Sequence, residues 1–463
     1  MAPSAKTISE KSLRGQSFWH STLPTPLQGW PQVESDLDLD VAIVGAGFTG
    51  LWTAYYLATY EPSLRIGVFE ANRVGFGASG RNGGWCVGTL TGISTYSNDP
   101  KAEAQLQRAL FETVGTIGQV CQIERIDCDW HAGGWLSLAL SRTQETIQRQ
   151  LVESWHGMGF TQQDVRWLDP EASRERVQIP NYGALYTPHC AALHPAKLVH
   201  GLARAVSSKG VKIYEGSPVR EIQGRKLKLD TAQVRAHWVI RATEAYTDSI
   251  RSQRRRLMPM HSAVIATEPL STDQWDEIGL KDRETFGDCR RMVIYGQRTR
   301  DDRMVFGCRG NYRFGSGIDD RLPPSDDCFK SVESRLAELF PHLPPLPISH
   351  RWVGALGIPR TYTPSVGFDA QRGFGFAGGY VGEGVAASNL AGRILADLCL
   401  ERDTPIVHLP MVGHDFSRWE PEPLRWIGVN GIRRLGEHLD QNELTDRPNS
   451  KFSEALFSHF SKG

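Results

Sequence analysis

The chain predicts an α/β protein built on two sheets, one parallel and wound with helices, the other antiparallel. Residues 41–50, VAIVGAGFTG, place four apolar residues before Gly45, Gly47 and Gly50, and a helical run at 51–60 follows. Residues 373–379, GFGFAGG, and the helical pattern of 385–399 repeat the strand–glycine–helix order near the other end. Between them, AVIATEP, RMVIYGQRT and RMVFGCRG alternate over 263–310, as antiparallel strands with one covered face do.

The first unit sets the spacing G-x-G-x-x-G between a strand and a helix. One glycine permits the tight turn, one lets a pyrophosphate approach the backbone, and one lets the helix pack on the strand. Phe48 and Thr49 fill the positions between Gly47 and Gly50, where the free N–H groups and dipole of a helix start favour phosphate. A second strand, 66–69, ends at Glu70, twenty residues after Gly50, where an acid can reach the ribose hydroxyls of an adenine dinucleotide. These are marks of a Rossmann-like unit. Ala71 opens the loop ANRVGFGASGRNGG, in which Gly75, Gly77, Gly80, Asn82, Gly83 and Gly84 fit neither a helix nor a strand interior. Backbone so free of side chains can press against a flat ligand.

The 463 residues suffice for two joined domains, and 40 % hydrophobic content suffices for a sizeable core. Lysine plus arginine equals aspartate plus glutamate, 52 each, which argues against a nucleic-acid partner; Arg254, Arg255 and Arg256 read as a solvated loop. The eight cysteines form no C-x-x-C pair, so neither zinc nor an iron–sulfur cluster is expected, and free thiols fit a reducing compartment. The first residues lack the apolar core of a secretory signal, and no run approaches the roughly 18 apolar residues of a membrane span. The expected setting is cytoplasmic.

Residues 1–37 read as an arm anchored by Phe18, Trp19 and Trp30. A helix is expected over 101–125, a strand pair over 130–140 and a helix over 141–158. Another helix begins near Pro195, a favoured first helical residue, and strands follow at 211–214, 218–222 and 238–243. Residues 328–340 form an amphipathic helix. So do residues within 421–440, where docking on the protein is preferred to lying on a membrane.

VAIVGAGFTG, VGFGASGRNGG, HPAKLVHGLARA, WVIRATEAYT, HRWVGALGIPRT and FAGGYVGEGVAASNLAGR, in that order over about residues 15–440, resemble the D-amino-acid oxidase superfamily of flavoproteins. Within it the chain looks most like the γ-glutamylputrescine oxidoreductase group, relatives of glycine and sarcosine oxidases. The resemblance implies a Rossmann-like FAD-binding domain of the glutathione-reductase type, assembled from discontinuous segments, plus an antiparallel β-sheet substrate domain with helices. The expected division is 38–90, 180–255 and 350–440 for FAD, 91–179 and 256–349 for substrate, and 441–463 as a tail. Gly45, Gly47 and Gly50 would hold the pyrophosphate and Glu70 the ribose. The loop Gly77, Ala78, Ser79, Arg81, Asn82, Gly83 and Gly84 would run along the diphosphate and isoalloxazine. Val219 matches a backbone contact to adenine, and Ala242 and Thr243 match the strand end that closes over the dinucleotide. Gly379, Tyr380, Gly382, Gly384 and Val385 would lie against the pyrimidine side of the flavin.

The resemblance further implies oxidation of a small amine, with hydride passing from the carbon beside nitrogen to flavin N5. O2 or a quinone would reoxidise the flavin. Amine oxidation of this kind needs a neutral nitrogen and relies on alignment and electrostatics. The helix beginning near Gly384 is suited to stabilise negative charge on reduced flavin. Leu356 stands where glycine oxidase-like relatives carry a carboxylate-binding arginine, and a second such arginine falls near Gly382. Both losses argue against a free α-amino acid and favour an amine, or a carboxylate far from the reacting carbon. Gly357 lies near the cysteine through which sarcosine oxidases attach flavin, so non-covalent FAD is expected. Glu383 either binds a cationic substrate tail or caps the following helix. Tyr380 and Trp352 are candidates for an aromatic wall, with ordinary core the alternative for Trp352. Arg309 either faces the flavin and assists oxygen chemistry or sits in a surface ion pair. His194 and His261 show no ligand spacing. Two rivals share the fold: an FAD enzyme with other chemistry, such as biosynthetic oxidation or hydroxylation, and a flavin-binding subunit without catalysis. The sequence leaves the oligomeric state open.

Overall fold

A computed structural model describes residues 8–97, 99–319 and 321–461. The outermost residues of the expected arm (1–7) and tail (462–463) lie outside that range.

The apolar run 41–44 is buried on both faces, which is why it lacks polar alternation. It ends the strand Leu37–Val44, which lies between parallel neighbours Gln233–Arg241 and Ile66–Phe69 with Val41 opposite Trp238 and Ile66. Lys212–Tyr214 extends one side of the sheet; Phe374–Gly378 and the antiparallel edge Ser365–Asp369 extend the other. One face is covered by the helices Phe48–Tyr60, Pro100–Ile123, Pro195–Ser208 and Gly384–Cys399 through Ile43, Leu51, Leu198, Leu390 and Ile394. A meander of Val219–Gln223 and Lys226–Leu229 covers the other through Ala42, Val44, Phe69, Ile222 and Leu227. The two strand–glycine–helix units, some 330 residues apart in sequence, are neighbours. A Cβ on Gly392 would stand 2.8 Å from the Thr53 amide, so this glycine lets their helices cross closely.

The second sheet runs Ile348–Ile358, Met258–Thr267, Met304–Arg309, Ile294–Arg298, Thr285–Asp288, Trp135–Leu138, Ala184–Thr187 and Arg166–Leu168. It is antiparallel except where Thr285–Asp288 pairs parallel with Trp135–Leu138. Ala263, Ile265 and Val353 face the helix Asp327–Leu339, while Val264 and Trp352 face the arm. Two strands depart from the expected division: Ala184–Thr187 and the start of the 350–440 segment both belong to this second sheet. The expected strand pair over 130–140 is one strand, Trp135–Leu138, with an isolated bridge from His131 to Ala192, because Gly133 and Gly134 turn the chain between them.

The arm docks through Phe18 and Trp19, which are 2 % and 1 % exposed. The helix Leu424–Leu444 also docks on the protein, with Asp440 accepting the N–H groups of Arg291 and Met292, although Leu424 and Ile427 at its start are exposed. Among the described residues no helix is long and apolar enough to cross a membrane.

Candidate active site

Gly45 has φ +107°, and a Cβ there would lie 2.5 Å from the Ala242 carbonyl. Only glycine lets the first strand end so close to its neighbour. Ala242 N–H donates to the Val44 carbonyl at 2.9 Å, and Thr243 Oγ1 meets Thr247 Oγ1 at 2.9 Å, which fixes the strand end over the turn. A Cβ on Gly50 would collide with the Gly45 carbonyl, so helix and turn are in contact here. Ser79 Oγ accepts the Phe48 N–H at 2.8 Å and fastens the glycine-rich loop to the start of this helix. Glu70 accepts the N–H of Ala46 at 2.9 Å and of Asn72 at 2.8 Å, so its carboxyl lies beside the turn. Burial pushes its pKa up to about 7, against the pull of those two amides. Ala71 follows it at the surface, and Val219 is buried in the cluster that contains Phe69.

Three distant side chains hold the loop that contains Gly77, Ala78, Ser79, Arg81, Asn82, Gly83 and Gly84. Trp19 Nε1–H donates to the Asn82 carbonyl at 2.8 Å, Trp352 Nε1–H to the Arg81 carbonyl at 2.8 Å, and Gln297 Nε2 to the carbonyls of Gly83 and Gly84 at 2.6 and 2.7 Å. Arg81 stacks on Phe76 at 4.5 Å, and Asn82 Oδ1 accepts the Gly84 N–H at 2.9 Å.

The second unit closes the same space. Gly379, Val381 and Gly382 all have positive φ, so the chain turns sharply before the helix Gly384–Cys399. Tyr380 OH meets Thr49 Oγ1 at 2.9 Å and joins the two helix starts, while its N–H donates to Glu244 Oε1 at 3.1 Å. Burial pushes the Glu244 pKa up to about 7, opposed by the amides of Tyr380, Gly379 and Gly357. Glu383 occupies the N-cap position, yet its carboxylate makes no bond to its own helix; it accepts the Thr91 N–H instead. The helix amides therefore have no side-chain cap, and Gly384 and Val385 line a cleft with Phe48, Thr49, Ser79 and Tyr380.

That cleft shares Ala78, Asn82, Trp85, Leu356 and Gly382 with a cavity of about 150 Å³. Trp85 and Tyr295, stacked with centroids 5.8 Å apart, and Trp135 form its aromatic wall; Arg309, Leu356 and Glu383 complete it. A larger chamber of about 370 Å³ meets it at Val293 and Arg309.

The family described as FAD dependent oxidoreductase, DAO, matches residues 40–398. The chain belongs to this family. Gamma-glutamylputrescine oxidoreductase of Escherichia coli (strain K12) is 32 % identical over 390 residues, 82 % of this chain and 88 % of that protein. The probable oxidoreductase OrdL of Haemophilus influenzae is 31 % identical over 79 % of this chain and 83 % of its own. Glycine oxidase from Geobacillus kaustophilus shares the fold with a TM-score of 0.69 at 22 % identity, covering 83 % of this chain and all of the other, 100 %. FAD is thus the cofactor of this DAO chain, which acts as an FAD-dependent oxidoreductase on amines or amino acids. The residues present fit the group: two glycine turns, an uncapped helix start and a carboxyl at the first turn surround one cleft. A Cβ on Gly357 would collide with Glu244 Oε2, so the place of a flavin-linking cysteine is filled by a carboxyl group.

Three readings that the sequence leaves open are narrowed. Trp352 lies outside the cavity lining, 3 % exposed among Phe18, Trp19 and Val264; it supports the loop and is no part of the wall. The wall is instead Trp85, Trp135 and Tyr295, scattered in sequence: Trp135 and Tyr295 come from two strands of the second sheet, and Trp85 comes from a separate strand pair, Trp85–Val87 with Cys190–Ala192. Glu383 does not cap its helix, since its carboxylate turns to Thr91. Among the described residues Arg309 forms no ion pair: it is half-buried, and its Nη2 donates to the Val381 carbonyl at 2.7 Å. A guanidinium stands beside the two positions, Leu356 and Gly382, that lack the relatives' arginines: Arg309 Nη2 lies 3.6 Å from where a Gly382 Cβ would be. Gln297 carries no motif signal, and Glu244, though inside WVIRATEAYT, is identified as the partner of the Tyr380 amide only by tertiary contact. His194 is structural: it caps the helix Pro195–Ser208 and meets Thr22 Oγ1 at 2.9 Å.

Proposed function

We propose that this protein oxidises the C–N bond of a small primary or secondary amine, of the γ-glutamylputrescine kind, bound in the cavity beside the flavin loop. FAD, when bound, accepts the hydride from the carbon next to nitrogen, and the released imine hydrolyses to an aldehyde or ketone. Gly45, Gly47, Gly50 and the amides of Phe48 and Thr49 hold the pyrophosphate; Glu70 and the adjoining Ala71 face the ribose; Val219, Ala242 and Thr243 flank the adenosine end. The loop from Gly77 to Gly84 and the turn from Gly379 to Val385 bracket the ring system. The uncapped amides at Gly384 and Val385 favour negative charge gathering on that side of the ring. Trp85, Trp135 and Tyr295 exclude water and hold the amine in a near-attack pose. Glu383 on the cavity wall gives the cationic tail of the substrate a carboxyl partner. Tyr380 keeps the two helix starts together.

The observation that carries this reading is the aromatic cavity that shares five residues with the cofactor cleft, in a chain related to a γ-glutamylputrescine enzyme. The free state of all eight cysteines supports a cytoplasmic setting. Mixing anaerobic yellow protein with a panel of amines tests the reading. An amine should bleach the flavin and NADPH alone should not. Bleaching by NADPH would make the enzyme a monooxygenase, and no bleaching short of dithionite would make it a silent subunit. Reoxidation with O2, read as peroxide, against reoxidation with a quinone then identifies the acceptor, for which we propose O2.

A further inference from the structure

A cavity of about 380 Å³ lies on the face of the parallel sheet that carries the meander, opposite the four helices. Among the described residues it shares no lining side chain with the cofactor cleft, the aromatic cavity or the chamber beyond it. Its walls come from the ends of the strands Gln233–Arg241 and Phe374–Gly378, the meander at Ile222 and Gly224, and the segment from Gly413 to Asp415. Arg241 faces this side together with Val239, because Ile240 between them turns to the helices. It is 2 % exposed. Its Nη1 donates to Gln253 Oε1 at 2.6 Å, and its guanidinium lies over the Phe376 ring at 4.6 Å. Its Nη2 is buried with no hydrogen-bond partner among the described residues. Asp415 and Glu244 act on Arg241 only through charge, without an ion pair. Asp415 is held by Arg256 at 2.6 Å, and Asp369 by Arg372 at 3.4 Å. Arg256, expected in a solvated loop, turns inward, and its Nε is also buried without a partner. Burial and then the nearby Arg256 pull the Arg241 pKa down to about 10, which leaves it cationic at neutral pH.

A buried cation without a partner is costly, and an anion of matching geometry removes the cost. We propose that this cavity is a second binding site, which takes a small carboxylate with a flat apolar body and seats its oxygens on Arg241 and Arg256. The charges select the anion. Arg256 and Arg372 are matched by Asp415 and Asp369, so one positive charge is left over; a carboxylate balances it, whereas a phosphate dianion would need another unmatched cation. Ile222, Phe374 and Phe376 give the body of the ligand an apolar bed. The Phe376 ring reaches its place because Gly367 on the paired strand has no Cβ, which would stand 2.1 Å from the ring. The volume falls in the range of small-molecule sites. An occupant here sits behind the strand ends from which the cofactor cleft is built, since Ala242 and Thr243 follow Arg241 and the turn at Gly379 follows Phe376.

Hydrogen–deuterium exchange on the FAD-loaded protein tests the assignment without turnover. Benzoate, phenylacetate and 3-phenylpropionate are titrated at millimolar concentrations, with benzamide, phenylacetamide and 3-phenylpropionamide as neutral controls. At least one acid should slow exchange in residues 222–224, 367–376 and 413–415 while its amide does not. Arg241→Gln should weaken that protection by about 10-fold or more in ligand concentration, and Arg241→Lys by less. Arg372, at the exposed rim, gives a variant that leaves the buried walls intact: Arg372→Glu should weaken binding about 3-fold at low salt, and the difference should shrink as salt is added. Protection confined to residues 77–84 and 379–385 would place the acids in the cofactor site and overturn the assignment. So would equal protection by acids and amides, protection by none of the acids, or affinity that Arg241→Gln leaves unchanged. If Arg241→Gln does not fold, unchanged low-salt affinity in Arg372→Glu overturns it instead.

Discussion

Glu244 follows the end of the central strand and projects between two backbone turns, where the Tyr380 N–H donates to it at 3.1 Å. Its pKa near 7, raised chiefly by burial, means that the folded chain keeps a proton on this carboxyl where the unfolded chain has lost it. A folded pKa above the unfolded value of 4.5 makes stability fall as pH rises through that window, and leaves it flat above. The full effect is about 3 kcal/mol for one such group. Glutamine keeps the acceptor for Tyr380 and never ionises. The unfolding free energy of apo Glu244→Gln relative to wild type should therefore improve between pH 5 and pH 8 by up to about 3 kcal/mol, read from urea melts. A difference that stays constant across this range would mean that Glu244 ionises as easily folded as unfolded. Glu70 shares the near-neutral pKa, so the wild-type slope contains both groups and only the variant separates them.

At the scale of elements, the start of the helix Gly384–Cys399 is the feature most open to direct test. Gly384 is its first residue, where proline is tolerated and its missing N–H removes a donor from the cleft. A helix-start contribution of about 1 kcal/mol corresponds to roughly 20 mV for a two-electron couple. Gly384→Pro should lower the flavin reduction potential by about that much, measured by dye equilibration, and an unchanged potential would remove the helix from the account. This helix was legible because Gly378, Gly379 and Gly382 punctuate the sequence before a 3.6-residue apolar period. The helix Phe48–Tyr60 begins earlier than its period suggests, since Gly50 reads as a break and is instead the point where helix and turn touch. The strand Ile348–Ile358 was not legible. Its SHRWVGALG stretch mixes charge, glycine and bulk, and it becomes a strand only through pairing with Met258–Thr267. For the same reason the glycine turns at 45–50 and 379–384, whose chemistry is local in sequence, were readable, whereas the grouping of Trp85, Trp135 and Tyr295 was not.

For the whole molecule, the parallel sheet supplies the turns, but the glycine-rich loop of residues 77–84 is fixed from outside that sheet. Its carbonyls are held by Trp19 from the arm, Trp352 from one edge strand of the second sheet and Gln297 from that sheet's middle. FAD affinity should therefore depend on a residue some sixty positions before the loop that touches no part of the cofactor cleft. Trp19→Phe keeps an aromatic ring between Phe18 and His194 and deletes one donor to the Asn82 carbonyl. Losing a buried hydrogen bond costs about 1 kcal/mol or somewhat more, so the dissociation constant for FAD should rise roughly 5- to 10-fold. Trp275→Phe is the control: it is equally buried and loses a similar bond, 3.0 Å to the Asp302 carbonyl, but lies on the far side of the second sheet. Both variants should lower the melting temperature, and only Trp19→Phe should weaken FAD, measured by flavin fluorescence quenching. Equal FAD affinity in the two would show that the loop holds its shape from its own glycines and turns, without the arm.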